Sequence, residues 1–492
     1  MIMNDKYDAS GKLVKFKGRL VCNGKQQPKS TYDPNQSSSP TLNKRSMMVI
    51  ANIAAFKDLH VCTMDISSAF VHADIDKEVY IKVDADVAKL LVEINPKYRE
   101  FLEKDDGLTL RLNRALYGLI QSPVLWYFHF TKVLKSLGYK QLVSDKCVFV
   151  RNSTIIGLHV DDLLIATDSQ EELHRLENKL RSSFLNVTVN HSVDSFEYLG
   201  VFFRRDRVAR SIEVCQSGKI ERIIEDLNIR GDAATPCING LFEVGSSEES
   251  KKQDVDREFL SKLMKLNYLA TSRQDILTTL SFLSSRSHYS TPDDHKKLNR
   301  LLDYVKSTKD VCLKICPSSL QLVAYADAAW GVNESDQMKS QTGCVISFGP
   351  IEDRHNGMII SSSKKQNDMI AKSSTEAELY ALDSTVDEIC WLLELVEELG
   401  IKQERPVKVF QDNQSTMKLI MKEGTYGRTK HIKIRYFAVK NRVKVNDVKL
   451  CYLPSEEMLA DILTKGVTGA NFKKLRSLLL GEKVRFQRKT SL

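Results

Sequence analysis

Cysteine is present but never in a metal-binding spacing. The ten cysteines are scattered, with no Cys-x-x-Cys pair and no zinc-knuckle pattern. A zinc-held fold and a dithiol redox centre are therefore excluded as organising features. The closest pair, Cys312 and Cys316, falls in an apolar, strand-like segment and reads as core packing. Scattered cysteines of this kind fit a reduced, intracellular protein. No apolar run approaches the ~20 residues needed to cross a bilayer. The first residues are polar and carry no signal-peptide core. Strong charge of one sign is also missing: 72 basic residues against 63 acidic ones leave a net +9. That mild excess is compatible with a polyanionic partner without demonstrating one. At 492 residues and 42% hydrophobic content, the chain has room for several domains with ordinary cores.

What is present centres on Leu158-His159-Val160-Asp161-Asp162-Leu163-Leu164. Two short apolar runs, Thr154 to Val160 and Leu163 to Thr167, predict a hairpin with Asp161-Asp162 at its bend. Carboxylates this close repel unless a cation neutralises them or one is protonated. Hard oxygen ligands favour Mg²⁺ or Mn²⁺. An ordinary Asp-Asp turn is the alternative.

Upstream, residues 11–21 alternate basic and apolar residues and predict a strand on which Lys15, Lys17 and Arg19 share one face. That face suits a triphosphate or a nucleic-acid backbone; a solvated strand face is the alternative. Residues 26–40 read as a loop. Residues 43–57 read as a helix with Met47, Val49, Ile50, Ile53 and Ala54 inward. Residues 60–66 predict a strand in which Asp65 is either a helix N-cap for the following Ser67-Ser68-Ala69-Phe70 or a third metal ligand. Ser122 is expected to cap a helix with Pro123 in its first turn, ending at Gly138.

Thr63-Met64-Asp65-Ile66 with Ser68-Ala69-Phe70, Ala115-Leu116-Tyr117-Gly118-Leu119 with Gln121-Ser122-Pro123, and Val160-Asp161-Asp162 stand in the order and spacing of a copia-type retrotransposon reverse transcriptase. Lys179-Leu180 with Phe184, and Tyr198-Leu199-Gly200, resemble the motifs that follow. The resemblance runs from about residue 11 to about residue 475. It implies an α/β (α+β) multidomain chain: a right-hand polymerase with fingers, palm and thumb over 11–235, a linker over 236–256, a helical connection over 257–316, a ribonuclease H-like domain over 317–466 and a basic tail over 467–492. Asp65, Asp161 and Asp162 match the family's catalytic triad. Phe70 matches its gate against a ribose 2′-hydroxyl, with plain core packing as the alternative. Lys17, Arg19 and Gln121 are assigned with Phe70 to the nucleotide and template site.

A second set of acids follows. Residues 321–327 predict a strand ending in Asp327, with further strands at 340–348 and 358–363. Ser373-Ser374-Thr375-Glu376-Ala377-Glu378 opens a long helix that stops at Gly400. Its stripe of Leu379, Leu382, Val386, Ile389 and Leu393 is spaced three and four apart. At about 100° per residue, Glu378 lies roughly 60° from the stripe centre and Glu376 roughly 100° away. Glu378 is therefore the better placed to meet a strand carboxylate, and Glu376 to be solvated or to form a capping box with Ser373; Thr375 with Glu378 is also a capping-box spacing, so that alternative stays open. A strand over 407–412 ends in Asp412, and Ser455 is expected to cap a short helix holding Asp461.

The set Asp327, Glu378, Asp412 and Asp461 resembles the four-carboxylate site of ribonuclease H. Such a set suits two metal ions about 4 Å apart. The resemblance thus implies Mg²⁺ (or Mn²⁺), an RNA template, a DNA primer, dNTPs and an RNA–DNA hybrid as partners, no membrane, and a cytoplasmic virus-like particle or the nucleus as the place of action. The oligomeric state is not implied.

The pattern departs from the family at Ile120 (usually Lys), Val124 (usually Arg), His159 (usually aromatic) and Lys433 (commonly an acid). No His stands between Val443 and Ala460, and His431 is the nearest upstream of Asp461. Basic residues crowd Arg428 to Arg435 and Lys473 to Lys489, where a solvated face is the alternative to a nucleic-acid contact. The resemblance starts inside the family's fingers, so one or two N-terminal strands are expected to be missing. A catalytically impaired, nucleic-acid-binding remnant is the competing reading.

Overall fold

Period-two alternation builds the strands and three-to-four spacing the helices of the computed structural model. It describes residues 2–7, 13–191, 194–244, 256–352, 355–368, 370–422 and 433–482. The chain divides into two compact units, a mixed α/β architecture. Among the described residues no helix is long and apolar enough to cross a membrane.

The first unit takes in Met1–Asn43, Met64–Ile165 and Ser169–Asn190. Its main sheet is built from β1 (His60–Ile66, of which Met64–Ile66 fall in this unit), β2 (Lys140–Gln141), β3 (Val148–Arg151), β4 (Thr154–His159), β5 (Asp162–Thr167, of which Asp162–Ile165 fall in this unit) and β6 (Val187–Asn190), in the order β6-β1-β5-β4-β3-β2. Ile, Leu and Val fill β4 and β5 so densely that both are buried almost throughout, as expected of strands covered on both faces. Helix α1 (Ser122–Ser136) buries Trp126 and Phe130, whose rings lie 5.2 Å apart.

Three local expectations need correcting here. The bend of the hairpin is Val160-Asp161, and Asp162 already belongs to β5. Ser122 is the first helical residue and not the cap: its hydroxyl donates to Leu116 O at 2.6 Å, so it ties down the preceding loop. Asp65 caps no helix, because the chain after it makes only a single 3-10 turn, Ala69–His72, whose cap residue Ser68 is left-handed at φ +59°.

The second unit takes in Lys44–Thr63, Ala166–Asp168 and His191–Leu492. Its helix Lys44–Phe56 is buried along nearly its whole length, and Asn52 Nδ2 donates to Met358 O at 3.0 Å. Among the helices that follow are α2 (Arg257–Asn267), α3 (Leu277–Ser285) and α4 (Pro292–Ser307). Before α3, Arg273 and Asp275 form a wholly buried ion pair at 2.8 Å, and the Tyr304 hydroxyl of α4 donates to the same carboxylate.

The reading of all cysteines as reduced is also corrected. Strand Ser211–Cys215 pairs antiparallel with Leu313–Ile315, with Val214 opposite Leu313, so Cys215 falls opposite Cys312. The two form a disulfide with Cα atoms 4.9 Å apart.

The largest sheet comprises β7 (Leu322–Asn333), β8 (Lys339–Phe348), β9 (Met358–Lys365), β10 (Val407–Gln411) and β11 (Val448–Tyr452), in the order β9-β8-β7-β10-β11. The first three strands are antiparallel neighbours, and β10 and β11 run parallel to β7. Helix α5 (Ser374–Glu398) covers the sheet with its stripe of Leu379, Leu382, Val386, Ile389 and Leu393, all buried. It ends at Gly400, φ +76°.

Two expectations shift in this region. Strand β7 does not end at Asp327 but runs on to Asn333, because Ala328 and Ala329 keep pairing with Thr342 and Gln341. Ser455 caps no helix: residues 455–457 and 459–463 are two short 3-10 turns without a side-chain cap.

Candidate active sites

The sheet order of the first unit brings its acids to one end. Asp65 lies near the end of β1, and Asp162 opens β5 beside it. Ile66 N donates to Asp161 O at 3.2 Å, which seats the bend against the end of β1. The bend is held in an unusual conformation. Val160 is left-handed at φ +58°, a region costly for a β-branched residue, and its carbonyl accepts from the buried Trp126 indole at 2.7 Å. Trp126 was not singled out from the sequence; nothing in the spacing signals it.

Tyr117 links the other expected residues. Its ring centroid is 4.7 Å from that of Phe70, and the Arg19 guanidinium stands 5.4 Å over it. Burial raises its pKa, and the charges of Asp161 and Asp65 add to the rise. Phe70 is half-buried in this stack.

Gln121 is 2% exposed and engaged within the protein: Nε2 donates to Thr31 O at 2.9 Å, and Oε1 accepts from Gln27 Nε2 at 2.7 Å. Gly118 is required beside it, since at φ +90° a Cβ would lie 2.0 Å from Cys22 O. The Lys15 and Lys17 side chains fall outside the described residues, as do those of Lys433 and residues 428–432 and 483–492.

In the second unit, parallel pairing sets two acids level. Tyr325 on β7 is in register with Phe410 on β10, so Asp327 and Asp412, each two residues further on, come side by side. Glu378 enters from the second turn of α5, 5% exposed, its Oε2 accepting from Gln411 Nε2 at 3.3 Å. One carboxylate oxygen from each of Asp327, Glu378 and Asp412 lies within 4.8 Å of the others. Among the described residues this is the one group of three or more His, Cys, Asp or Glu so tightly set; Asp65, Asp161 and Asp162 are not.

Glu376 has another task. Its Oε2 accepts from Lys372 N at 2.7 Å, while Glu376 N donates to Ser373 Oγ at 3.3 Å, so it helps to cap the helix, reaching back to Lys372 and not to Ser373.

Asp461 arrives on the 3-10 turn Leu459–Leu463, and a glycine makes its approach possible. Gly343 of β8 sits opposite Asp327, and a Cβ there would lie 2.8 Å from Ala460 O and 2.7 Å from Thr464 Cγ2. The turn also delivers two residues that sequence reasoning missed. Thr464 donates its hydroxyl to Asp327 Oδ2. Lys465 places Nζ 2.7 Å from Asp461 Oδ1 and 3.9 Å from Asp327 Oδ2. A lysine four positions after an acid was the available signal for the second.

The electrostatics are those of a cation site. Burial, reinforced by Asp461 and Asp412, pushes the Asp327 carboxyl up to about 7 against the relief given by Lys465. Burial and the charges of Asp327 and Asp412 raise Glu378 well above the usual carboxylate range, and burial raises Asp461. Burial alone would lower Lys465, but the surrounding carboxylates outweigh it and hold its ammonium charged. Asp327 Oδ1 is buried with no hydrogen-bond partner. A divalent cation answers both problems, since it neutralises the repulsion and satisfies the bare oxygen. The trio of buried Asp327 and Glu378 with half-buried Asp412 therefore fits a divalent metal.

Residues 1–239 match the family described as reverse transcriptase (RNA-dependent DNA polymerase). A retrovirus-related Pol polyprotein from transposon TNT 1-94 of Nicotiana tabacum is 30% identical over 486 residues, covering 96% of this chain and 35% of that protein. The Pol polyprotein from transposon RE1 of Arabidopsis thaliana is 28% identical over 97% of this chain and 31% of its own length. The chain thus spans about a third of the length of the relatives it matches. A solved structure of a foamy viral protease-reverse transcriptase with double-stranded DNA aligns over 92% of this chain and 65% of that one, at 12% identity and a TM-score of 0.47. With the motifs in their order along nearly the whole chain, the protein is similar to the Pol polyproteins of copia-type retrotransposons, residues 1–239 to their reverse transcriptase.

Proposed function

We propose that the chain is a reverse transcriptase with ribonuclease H activity, copying an RNA template from a DNA primer with dNTPs and cleaving the RNA strand of the resulting RNA–DNA hybrid. On this reading residues 11–235 polymerise, 236–256 link, 257–316 connect, 317–466 cleave and 467–492 form a basic tail. The working compartment is a cytoplasmic particle or the nucleus. The observation that carries the proposal is the trio of buried Asp327 and Glu378 with half-buried Asp412, and its unpartnered oxygen, where a helix meets a five-stranded sheet.

Mg²⁺ or Mn²⁺ held there would supply the charge that stabilises a phosphodiester under attack. Asp327, Glu378, Asp412 and Asp461 would hold the ions in the ribonuclease H region, and Asp65, Asp161 and Asp162 would hold them in the polymerase region. Arg19, Lys17 and Phe70 border the nucleotide and template, whereas Gln121, expected with them, is buried and spent on Thr31 and Gln27, so it positions that loop and does not touch a substrate. Phe70, packed on Tyr117, excludes a ribose 2′-hydroxyl. A hybrid is recognised through its shape and 2′-hydroxyls.

The impaired-remnant reading is favoured at one position. Ile120 puts an aliphatic side chain where the family usually carries Lys, and its backbone N–H is spent on Gln27 Oε1 at 3.0 Å. Primer extension on poly(rA) with Mg²⁺ or Mn²⁺, run beside hybrid cleavage, decides between the two. Both activities support the enzyme; binding with neither supports the remnant.

A further inference from the structure

The four acids of the ribonuclease H-like site are not equivalent. Asp327, Glu378 and Asp412 gather their oxygens within 4.8 Å, and Asp461 is not a member of that group. Asp461 already has a cation. Lys465 Nζ is 2.7 Å from Asp461 Oδ1, and the backbone fixes the pair, because Asp461 O accepts from Lys465 N at 3.0 Å and from Thr464 N at 3.2 Å. The same ammonium stands 3.9 Å from Asp327 Oδ2, an oxygen that Thr464 also occupies. The oxygen of Asp327 left without a partner is Oδ1. One side of the cluster is thus satisfied by protein groups, and the other side, between Asp327, Glu378 and Asp412, is not.

We propose that Lys465 is a tethered cation that withholds Asp461 from the metal-binding set: the resting site takes one divalent ion, and a second enters only when Lys465 leaves Asp461. This rests on the ribonuclease H reading and deepens it. The charges support the assignment. Four carboxylates carry −4; Lys465 and one divalent ion supply +3. A second divalent ion at Asp461 would meet an ammonium already on the oxygen it needs, and like charges at that range repel. Lysine suits the part because its ammonium is a compact point charge on a flexible stem. Its side chain is 42% exposed, so it has solvent to swing into.

The test counts bound Mn²⁺ by the loss of the free-ion paramagnetic resonance signal. It uses the full chain carrying Asp161→Asn and Asp162→Asn, which silence the other acidic site. With Lys465 intact, one ion is expected per chain. Lys465→Met should bind two, and Lys465→Arg, which keeps the charge, should bind one. Asp461→Asn, which leaves Lys465 in place, should not weaken the first ion, whereas Asp327→Asn should. Two ions with Lys465 intact, or an Asp461→Asn variant as weak as Asp327→Asn, would overturn the proposal while leaving the ribonuclease H reading standing. No ion in any variant would overturn both.

Discussion

Gly343 lies directly opposite Asp327 across β7 and β8, and the space left by its missing side chain is filled by the turn that carries Asp461. A backbone feature of one strand therefore sets how closely the fourth acid can approach the first. Gly343→Ala would drive a methyl group into Ala460 O and Thr464 Cγ2. Overpacking of this kind costs about 1–3 kcal/mol. Hybrid cleavage should fall sharply while primer extension is retained, as the two activities read on one preparation will show. Undiminished cleavage would mean that the turn is free to shift.

The two glutamates at the start of α5 should separate cleanly. Glu378→Gln removes a charge from the trio and should abolish hybrid cleavage. Glu376→Gln touches only the helix start and should cost at most ~1 kcal/mol of stability. Parallel cleavage assays and urea titrations of the two variants decide. A dead Glu376 variant beside an active Glu378 variant would sink the assignment.

In the absence of divalent metal, stability should fall as pH rises from about 4 to about 7. An unfolded Asp titrates near 4, whereas burial holds Asp327 protonated up to about 7. In that window the folded state binds more protons than the unfolded one, so each upward step in pH favours unfolding. Saturating Mg²⁺ should flatten the slope, and Asp327→Asn should remove its share of it. A metal-free melting profile that rises through this window would contradict the burial of these acids.

The Arg273–Asp275 pair predicts a stability effect without a chemical one. Both side chains are wholly buried, and Tyr304 closes on the same carboxylate. Asp275→Ala leaves a guanidinium uncompensated in the interior, a loss of about 3–5 kcal/mol. Urea unfolding will measure it; a loss below ~1 kcal/mol would show that Arg273 finds water or another partner.

Phe70→Val should raise ribonucleotide incorporation relative to deoxyribonucleotide incorporation in primer extension, because the ring that fills the space beside Tyr117 would be gone. An unchanged ratio with lowered stability would make Phe70 a packing residue only.

Much of this was legible in the chain itself where one periodicity rules a segment. The α5 stripe and its stop at Gly400 came from spacing, and the same helical phase separated Glu378 from Glu376. Strand ends were less legible. Asp327 looks terminal because small residues follow it, yet Ala328 and Ala329 continue the ladder, since pairing is decided by the partner strand. Ser122 and Ser455 carry cap-forming side chains, but a bond back to the Leu116 carbonyl and a 3-10 backbone supervene. The left-handed Val160 was hidden because its stabiliser, Trp126, is far off in sequence. The Cys215–Cys312 pairing depends on a register between strands about a hundred residues apart. Lys465 could be seen beside Asp461 in the sequence, but only the fold brings it to Asp327.

The most direct measurement is cleavage of the RNA strand of an RNA–DNA hybrid with Mg²⁺, comparing the chain with its Asp327→Asn variant and using primer extension by both as the control for folding. Cleavage by the unaltered chain that vanishes in the variant, with extension preserved, is the predicted result. Cleavage that survives Asp327→Asn would contradict the assignment of the trio as the hydrolytic site.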